Sequence, residues 1–191
     1  MDILQNKLKA LEIAFKHHSN QKRKGTNVTY FVHILNVTKY LMFETDDEDV
    51  ICAGILHDTL EDTSYSKEEL IKDFGLNVFN LVNFCTEEGN DINKTSIELK
   101  KTWKERKQKS IDKIKNANKE ELLVYVADKL SNISDMEEDL ILIKENYWSR
   151  FNASKEEIKW YYESILNECK HKLQGTRIIK IFENKVNNVF G

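Results

Sequence analysis

The sequence predicts an all-α fold, a single bundle of roughly eight to ten helices. Apolar residues recur at helical spacing along most of the 191 residues. Capping boxes, in which Ser, Thr or Asn is followed three residues later by Glu, stand before several of these apolar runs. Because no alternating strand pattern, internal repeat or Gly/Ser linker interrupts them, we expect one domain.

Apolar stripes predict the first two helices. The stripe of the first helix recurs at helical spacing and consists of Leu4, Leu8, Leu11 and Phe15. The stripe of the second helix consists of Tyr30, Ile34, Val37 and Leu41. A polar, basic loop over residues 19–27 separates these two helices. His17 and His18, at the end of the first helix, are expected on the surface.

Four capping boxes predict where later helices begin. They start at Thr45, Ser66, Asn118 and Ser154. We expect the helix after Ser66 to end before Gly75, a further helix over residues 76–85, and a loop over residues 86–95. The helix after Ser154 is interrupted by Gly175, and a last helix is predicted over residues 178–189.

A highly charged stretch over residues 96–115 predicts a solvated helix. Its lysine-rich part, around Trp103, has an alternative interpretation as a surface for a phosphate tail or RNA. The formal net charge of -3 gives the whole chain no general attraction to nucleic acid. We therefore expect no nucleic-acid partner, and a local basic patch must attract any anionic substrate.

Three cysteines, Cys52, Cys85 and Cys169, are scattered along the chain. Their number and spacing favour buried, unpaired thiols in a cytoplasmic protein over a disulfide framework or a zinc site. No apolar run reaches membrane-spanning length, and the first residues lack the layout of a signal peptide. We expect a cytoplasmic protein with no membrane partner, and the sequence leaves open whether it forms a homo-oligomer.

His57 and Asp58 follow directly on an apolar helical run, residues 50–56, and precede an acidic run. Glu61 and Asp62 come four residues later, so they share the same face of any continuing helical turn. The segment clusters three carboxylates and one imidazole without a Lys or Arg between them. A buried cluster of this kind repels itself unless a cation or shared protons hold it together.

The candidate metal ligands are His33, His57, Asp58 and Asp128, because each lies in an otherwise apolar or structured helical segment. A mixed set of His and Asp suits a borderline divalent cation such as manganese, iron or zinc. Taken singly, each residue has a plainer interpretation as a hydrogen-bonded histidine or a solvated aspartate. The dense motif over residues 57–62 and the apolar run before Asp128 favour the joint interpretation as a metal site.

The order of these motifs resembles that of the HD phosphohydrolase superfamily, and in detail that of its (p)ppGpp hydrolase group. The segments that carry the resemblance are RKG at 23–25, YFVH at 30–33, HDTLEDT at 57–63, ADKLSN at 127–132, RFNASKE at 150–156 and WYY at 160–162. The HDTLEDT segment together with the downstream ADKLSN segment is highly specific. Thr29 and Ile34 stand where members of this group usually have proline.

This resemblance implies a role for each candidate residue. One divalent ion, most often manganese in this group, would be held by His33, His57, Asp58 and Asp128. Glu61 and Asp62 would align the attacking water and accept its proton. The substrate-binding residues would be Arg23, Lys24, Asn132 and Tyr161, although Tyr161 also suits an ordinary helix-packing role. Residues 1–173 would form the HD-type domain, and residues 174–191 a C-terminal helical extension.

The activity implied by the resemblance is metal-dependent hydrolysis of guanosine 3′,5′-bis-polyphosphates at the 3′ position. The products would be pyrophosphate and GDP or GTP. Two alternatives stay open: an HD pocket that acts on another nucleotide such as ppApp or NADPH, and an antitoxin that neutralises an alarmone synthetase. The adjacent carboxylates Glu61 and Asp62 argue against a degenerate site without catalytic activity.

Overall fold

The computed structural model describes residues 3–87 and 96–191, and these residues form helices with no strand among them. The prediction of an all-α fold is confirmed. The α-helices are α1 (Ile3–His17), α2 (Phe31–Met42), α3 (Glu48–Leu56), α4 (Thr59–Asp62), α5 (Lys67–Cys85), α6 (Ser96–Ile114), α7 (Lys119–Ile143), α8 (Lys155–Lys172) and α9 (Arg177–Phe190), with a 3-10 helix (Lys144–Arg150) before α8. Most of the loop predicted over residues 86–95 lies outside the described residues.

Helix α3 lies at the centre of the bundle. Every residue from Val50 to Leu56 is buried, and α1, α2, α5 and α7 pack around the helix. A helix that is apolar on all sides is stable only when it is enclosed in this way. Gly54 allows α2 to approach closely, because a Cβ at this position would lie 2.1 Å from Leu41 Cδ1. The close approach fixes α2 against α3 beside the His57-Asp58 pair.

The apolar stripe predicted for α1 is wrong as a description of its buried face. Leu8 and Phe15 are 50% and 57% exposed, whereas Ala10 and Ala14 are fully buried. Small side chains let α1 pack closely on α3, so the geometry of helix packing decides which face is buried. The side chain of Leu4 lies outside what the structure describes. The stripe predicted for α2 is confirmed, and its fully buried members are Ile34, Val37 and Leu41.

Three of the four predicted capping boxes are confirmed. Their N-cap residues are Ser66, Asn118 and Ser154. Helix α3 begins differently, because its N-cap is Asp47, whose carboxylate accepts hydrogen bonds from the backbone N–H groups of Asp49 and Val50. The prediction that Thr45 opens this helix is wrong, since the Asp47 carboxylate already satisfies the first free donors of the helix.

Two glycines mark breaks that the sequence predicted. Gly75 has a φ of 86° and a non-helical backbone inside α5, so the helical segments before and after it meet at a kink. Gly175 has a φ of 88° between α8 and α9. Both conformations lie in the region that favours glycine, which explains why the helical pattern stops at these residues.

Helix α6 is less solvated than predicted. Arg106, Ile111 and Ile114 are buried, and the helix packs against α8. Its other side carries exposed charged residues, among them Lys104 and Lys109. The prediction of a solvated helix therefore holds for one face and is wrong for the other, because a charged helix still buries the side that meets its neighbour.

Helix α9 packs against α7 and α8 through one apolar face. The buried residues of this face are Ile178, Ile179, Phe182, Val186, Val189 and Phe190. The division of the chain into residues 1–173 and 174–191 stays a prediction.

The cysteines Cys52, Cys85 and Cys169 are unpaired, with Cys52 and Cys169 buried and Cys85 half-buried. Their distribution fits the predicted free thiols. Within residues 3–87 and 96–191, the structure contains no helix with the length and apolar character needed to cross a membrane.

Candidate active site

The four predicted metal ligands come together beneath one cavity, which Asp58 and Asp128 line directly, and we call His33, His57, Asp58 and Asp128 the ligand floor. His33 belongs to α2, His57 and Asp58 follow α3, and Asp128 belongs to α7. The Nε2 atoms of the two imidazoles lie 3.1 Å apart. Asp58 Oδ2 lies 2.8 Å from His57 Nε2, and Asp128 Oδ1 lies 3.3 Å from His33 Nε2. The structure thus brings all four residues together from three separate parts of the chain.

The spacing of these atoms suits ligands of a single ion. Two ligands at right angles, each about 2.1 Å from an ion, lie about 3 Å from one another. The ligand atoms of His33, His57 and Asp58 all lie within 4.8 Å of one another. Asp128 Oδ1 lies 3.3 Å and 3.8 Å from the two imidazole nitrogens, within reach of the same ion. Two nitrogen and two oxygen ligands fit a borderline divalent cation.

Each imidazole is oriented by a hydrogen bond at its other nitrogen. His57 Nδ1 donates to the backbone carbonyl of Gly54 at 2.9 Å. Because a carbonyl only accepts, Nδ1 carries a proton and Nε2 faces the ligand floor. His33 Nδ1 lies 2.9 Å from the hydroxyl of Ser131. Contacts of this kind fix the rings of metal-binding histidines.

The two aspartates of the ligand floor are also held by neighbouring side chains. Asn132 Nδ2 donates to Asp128 Oδ1, and Lys129 Nζ donates to Asp128 Oδ2, both at 2.6 Å. The hydroxyl of Tyr30 donates to Asp58 Oδ2. These contacts limit the rotation of both carboxylates, so the ligand floor is ordered by the protein itself.

Opposite charges control protonation within the ligand floor. Burial opposes protonation of His57, but the charges of Asp58 and Asp128 outweigh burial and raise the pKa of His57 to about 9. Burial lowers the pKa of His33 below its ordinary value. Burial favours a protonated Asp58, yet the adjacent His57 outweighs it and lowers the pKa of Asp58. One protonated imidazole thus offsets part of the carboxylate charge near neutral pH, and a divalent cation bound here would replace that proton.

Glu61 and Asp62 line the same cavity, which has a volume of about 450 Å³. Both lie in α4, and Glu61 Oε2 accepts a hydrogen bond from the backbone N–H of Glu87 at 2.9 Å. The side chain of Asp62 contacts the solvent in the cavity. Its partial burial is the main cause that raises its pKa to about 7, and the negative charges of Asp58 and Glu61 add to this effect. A carboxylate with a pKa near neutral pH is suited to accept a proton from water.

The wall of this cavity carries four cations, and we call Lys24, Arg106, Lys107 and Lys129 the cationic wall. Arg106 and Lys107 come from α6 and both form ion pairs with Glu87. The remaining two cations come from the loop before α2 and from α7. Positive charges gathered around a cavity attract phosphate groups and hold them in place. The cavity is therefore suited to an anionic substrate above the ligand floor.

A second cavity of about 550 Å³ adjoins the first and shares Lys24 and Asn132 with it. Arg23 lines this second cavity. Its guanidinium donates to Asp135 at 2.7 Å and 2.9 Å and to the side-chain oxygen of Asn132 at 2.8 Å. The volume is typical of pockets for small organic ligands. Three of the predicted substrate-binding residues thus surround the junction of two cavities.

Tyr161, the fourth predicted substrate-binding residue, is buried and lines the first cavity. Its hydroxyl lies 2.6 Å from the hydroxyl of Tyr125. Lys107 Nζ lies over its ring, 5.1 Å from the centroid. Tyr161 therefore supports a cation of the cavity wall and also lies within reach of a ligand in the cavity.

Sequence reasoning favoured a solvated helix for the lysine-rich stretch that contains Arg106 and Lys107, with a phosphate-binding surface as the alternative, and the structure places both residues in the cavity wall. A signal was present, because Trp103, Ile111 and Ile114 recur at helical spacing and mark the inner face of α6. Lys107 lies on this same face, four residues after Trp103. The sequence also held a signal that Lys129 lies at the site, since Lys129 directly follows a candidate ligand in an apolar segment.

The prediction that His18 lies on the surface is wrong. Its side chain is 1% exposed and stacks on Tyr30, with ring centroids 5.2 Å apart. Burial lowers the pKa of His18 below its ordinary value. Successive helical residues point in directions about 100° apart, so His17 and His18 cannot share one environment. His17 instead contacts the ring of Tyr65.

Comparison with known proteins identifies the class that this fold and site define. The HD domain family matches residues 10–147. The chain therefore belongs to the HD domain family, and the predicted resemblance to this superfamily is confirmed.

Two named relatives carry the same name, that of a 3′-pyrophosphohydrolase. The guanosine-3′,5′-bis(diphosphate) 3′-pyrophosphohydrolase MESH1 of Xenopus tropicalis is 31% identical over 186 residues, which cover 96% of this chain and 92% of the relative. The protein of the same name from Drosophila melanogaster is 33% identical over 126 residues, 65% of each chain, so this match spans just under two thirds of the relative's length. A solved structure of a metazoan SpoT orthologue that hydrolyses ppGpp aligns with a TM-score of 0.70 at 26% identity, covering 97% of this chain and 93% of that one.

Proposed function

We propose that this protein hydrolyses ppGpp and pppGpp at the 3′ position, releasing pyrophosphate and GDP or GTP. One water is consumed, and the bond between the 3′ oxygen and its phosphorus is broken. The observation that carries the proposal is the placement of the ligand floor, the carboxylates Glu61 and Asp62, and the cationic wall around one cavity. The similarity to named 3′-pyrophosphohydrolases over nearly the full chain supports the same reaction.

The ligand floor would hold one divalent ion, and we propose manganese. The ion supplies two effects when bound: it lowers the pKa of a water molecule, and it neutralises charge on the phosphate. His33 and His57 contribute nitrogen ligands whose orientation is fixed by Ser131 and Gly54. Asp58 and Asp128 contribute the negative charge that favours a dication over a proton.

Asp62 would accept the proton of the attacking water, and Glu61 would align that water. The pKa of Asp62, raised to about 7, allows the carboxylate to take up a proton near neutral pH. Glu61 is anchored at Oε2 by the backbone N–H of Glu87. This anchoring holds the Glu61 side chain in place at the cavity while Asp62 carries out the proton transfer.

The cationic wall would bind the phosphates, and the second cavity would bind the nucleoside. Lys24 and Asn132 lie where the two cavities join, so they would contact the ribose or the phosphate nearest to it. The planar guanidinium of Arg23 would offer one face to the purine while Asp135 and Asn132 hold its edge. Tyr161 would contact the phosphate side beside Lys107.

A substrate panel tests this proposal. Manganese-loaded protein would be incubated with ppGpp, pppGpp, ppApp and NADPH, and pyrophosphate and orthophosphate would be quantified separately. We expect pyrophosphate from the two guanosine compounds and loss of that activity after chelation of the metal. Turnover of NADPH with orthophosphate release, and none of ppGpp, would contradict the proposal and favour the alternative nucleotide.

The biological role of the activity is also a proposal. Hydrolysis of an alarmone would counteract a synthetase, so an antitoxin role is compatible with the same chemistry. The cytoplasmic location is likewise a prediction from the sequence, which leaves the oligomeric state open. Co-expression with an alarmone synthetase would test the antitoxin role, since a protective effect should disappear in the Asp58→Asn variant.

A further inference from the structure

We propose that His18 and Gln21 are positioning residues of the active site, and that His18 supports two of its parts at once. Through Gln21 it holds the backbone of Asp62, and through Tyr30 it holds the ligand Asp58. The inference rests on the proposed function, because it assigns both residues to the hydrolytic site.

A hydrogen-bond path connects His18 to Asp62. The side-chain amide nitrogen of Gln21 donates to the backbone carbonyl of Asp62 at 2.8 Å. Because this carbonyl only accepts, the amide oxygen of Gln21 must face the other way, where His18 Nδ1 lies 2.6 Å from it. His18 Nδ1 therefore donates to Gln21. The imidazole fixes the amide in the one orientation that can hold Asp62.

A ring contact connects His18 to Asp58. The imidazole stacks on the ring of Tyr30 at a centroid separation of 5.2 Å and an interplanar angle of 29°. The hydroxyl of Tyr30 donates to Asp58 Oδ2, the atom closest to His57 Nε2. The backbone N–H of Tyr30 also donates to the backbone carbonyl of Gln21 at 2.9 Å. The two paths thus meet in one packed unit beside the ligand floor.

The burial of His18 indicates that its polar ring has a role that packing alone does not explain. The side chain is 1% exposed, and within the part of the chain that the structure describes its Nε2 is buried without a hydrogen-bond partner. A phenylalanine ring would fill similar space without burying an unpaired nitrogen, so packing alone does not explain an imidazole here. The hydrogen bond from Nδ1 to Gln21 is the feature that a phenylalanine cannot supply.

Different substitutions separate the two paths. His18→Phe keeps a ring against Tyr30 but removes the hydrogen bond to Gln21. His18→Asn keeps a donor close to the place of Nδ1 but removes the stacked ring. Gln21→Met removes both hydrogen bonds of the amide. His17→Phe, on the preceding residue of the same helix, is the matched control because His17 faces Tyr65 instead of the site.

The kinetic test measures kcat and KM for ppGpp in the manganese-loaded variants, together with thermal unfolding. We expect His18→Phe and Gln21→Met each to lower kcat about tenfold with KM little changed, because contacts that orient the groups of a metal site typically contribute 10- to 100-fold. The double variant should lose no more than either single variant, since both break one path. We expect His18→Phe to be about as heat-stable as the unmodified protein, because it removes the unpaired Nε2 but leaves the amide oxygen of Gln21 without its donor.

Two results would overturn the inference. One is an unchanged kcat in His18→Phe. The other is a double variant whose loss equals the product of the single losses, which would indicate two independent packing defects. If the unmodified protein itself does not hydrolyse ppGpp, the proposed function fails, and the inference is then judged by metal binding. His18→Asn should bind manganese about tenfold more weakly than the unmodified protein and His17→Phe, and equal affinities would contradict the support of Asp58.

Discussion

The ligand floor and the cationic wall face the same cavity, but they are held in different ways. The ligand floor comes from α2, α3 and α7 in the packed centre of the bundle, and each of its side chains has a hydrogen-bond partner in the surrounding protein. In the cationic wall, Arg106 and Lys107 come from α6 and share one carboxylate, that of Glu87. We therefore expect substitutions in the ligand floor to affect mainly kcat and substitutions in the cationic wall to affect mainly KM.

The largest expected effect follows from removing the charge of one ligand in the floor. Asp58→Asn keeps the shape of the side chain but weakens its bond to a cation. We expect kcat/KM for ppGpp to fall about 1000-fold, because a bound metal ion contributes several kcal/mol to the transition state. Asp46→Asn, at an exposed position before α3, is the control. Full activity in Asp58→Asn with one bound ion would show that the ligand floor is assigned wrongly.

A smaller loss is expected at Asp62, which acts beside the ion and does not bind it. In Asp62→Asn, kcat should fall about 100-fold or more, in the range typical of general-base catalysis. The manganese content, measured by elemental analysis, should stay the same. Glu68→Gln, an exposed carboxylate on α5, should leave both quantities unchanged. Loss of bound manganese in Asp62→Asn would place this carboxylate among the ligands instead.

Removing a charge from the cationic wall should raise KM for ppGpp. Lys107→Met removes one cation while Arg106 still pairs with Glu87. We expect KM for ppGpp to rise about tenfold with little change in kcat, because a charge-assisted hydrogen bond contributes roughly 1.5–3 kcal/mol. Lys109→Met, an exposed lysine on the same helix, is the matched control. A decrease in kcat with KM unchanged would contradict the assignment of Lys107 to substrate binding.

The smallest expected effect is the release of protons when the metal binds. His57 has a pKa raised to about 9 from 6.5, so it is protonated at pH 7.5 in the metal-free protein and must lose that proton to bind an ion. Calorimetry in buffers of different ionisation enthalpy should show about one proton released per manganese at pH 7.5, and far less above pH 9.5. At His57 the folded, metal-free protein binds more protons than the unfolded chain does. The protonated imidazole therefore stabilises the fold, and this stabilisation declines as the pH rises from 6.5 through about 9. Equal proton release at both pH values would contradict the assignment.

The ligand floor could be predicted from the sequence because its signal is local. His57 and Asp58 directly follow an apolar helix, and Asp128 interrupts another apolar run. A polar residue within a buried segment needs a partner wherever the helices finally pack. The charge and the pattern were therefore sufficient to nominate these residues, although their distances required the fold.

The residues that sequence reasoning missed depend on how whole helices pack. Ala10 and Ala14 are buried while Leu8 and Phe15 are half exposed, because α1 approaches α3 through its small side chains. The same rotation of α1 turns His18 inward. Arg106 and Lys107 lie in a charged stretch whose inner face Trp103, Ile111 and Ile114 mark, and the packing of α6 against α8 places both side chains at the cavity. Hydrophobic spacing alone does not decide between such orientations.

The most direct test of the central claim is the product ratio from ppGpp. Manganese-loaded protein, compared with Asp58→Asn prepared in the same way, would be incubated with ppGpp, and GDP, pyrophosphate and orthophosphate would be quantified over time. We expect GDP and pyrophosphate in equal amounts from the unmodified protein, no orthophosphate, and almost no turnover in the variant. Intact ppGpp with the metal-loaded protein, or orthophosphate as the main product, would contradict a 3′-pyrophosphohydrolase built on the ligand floor.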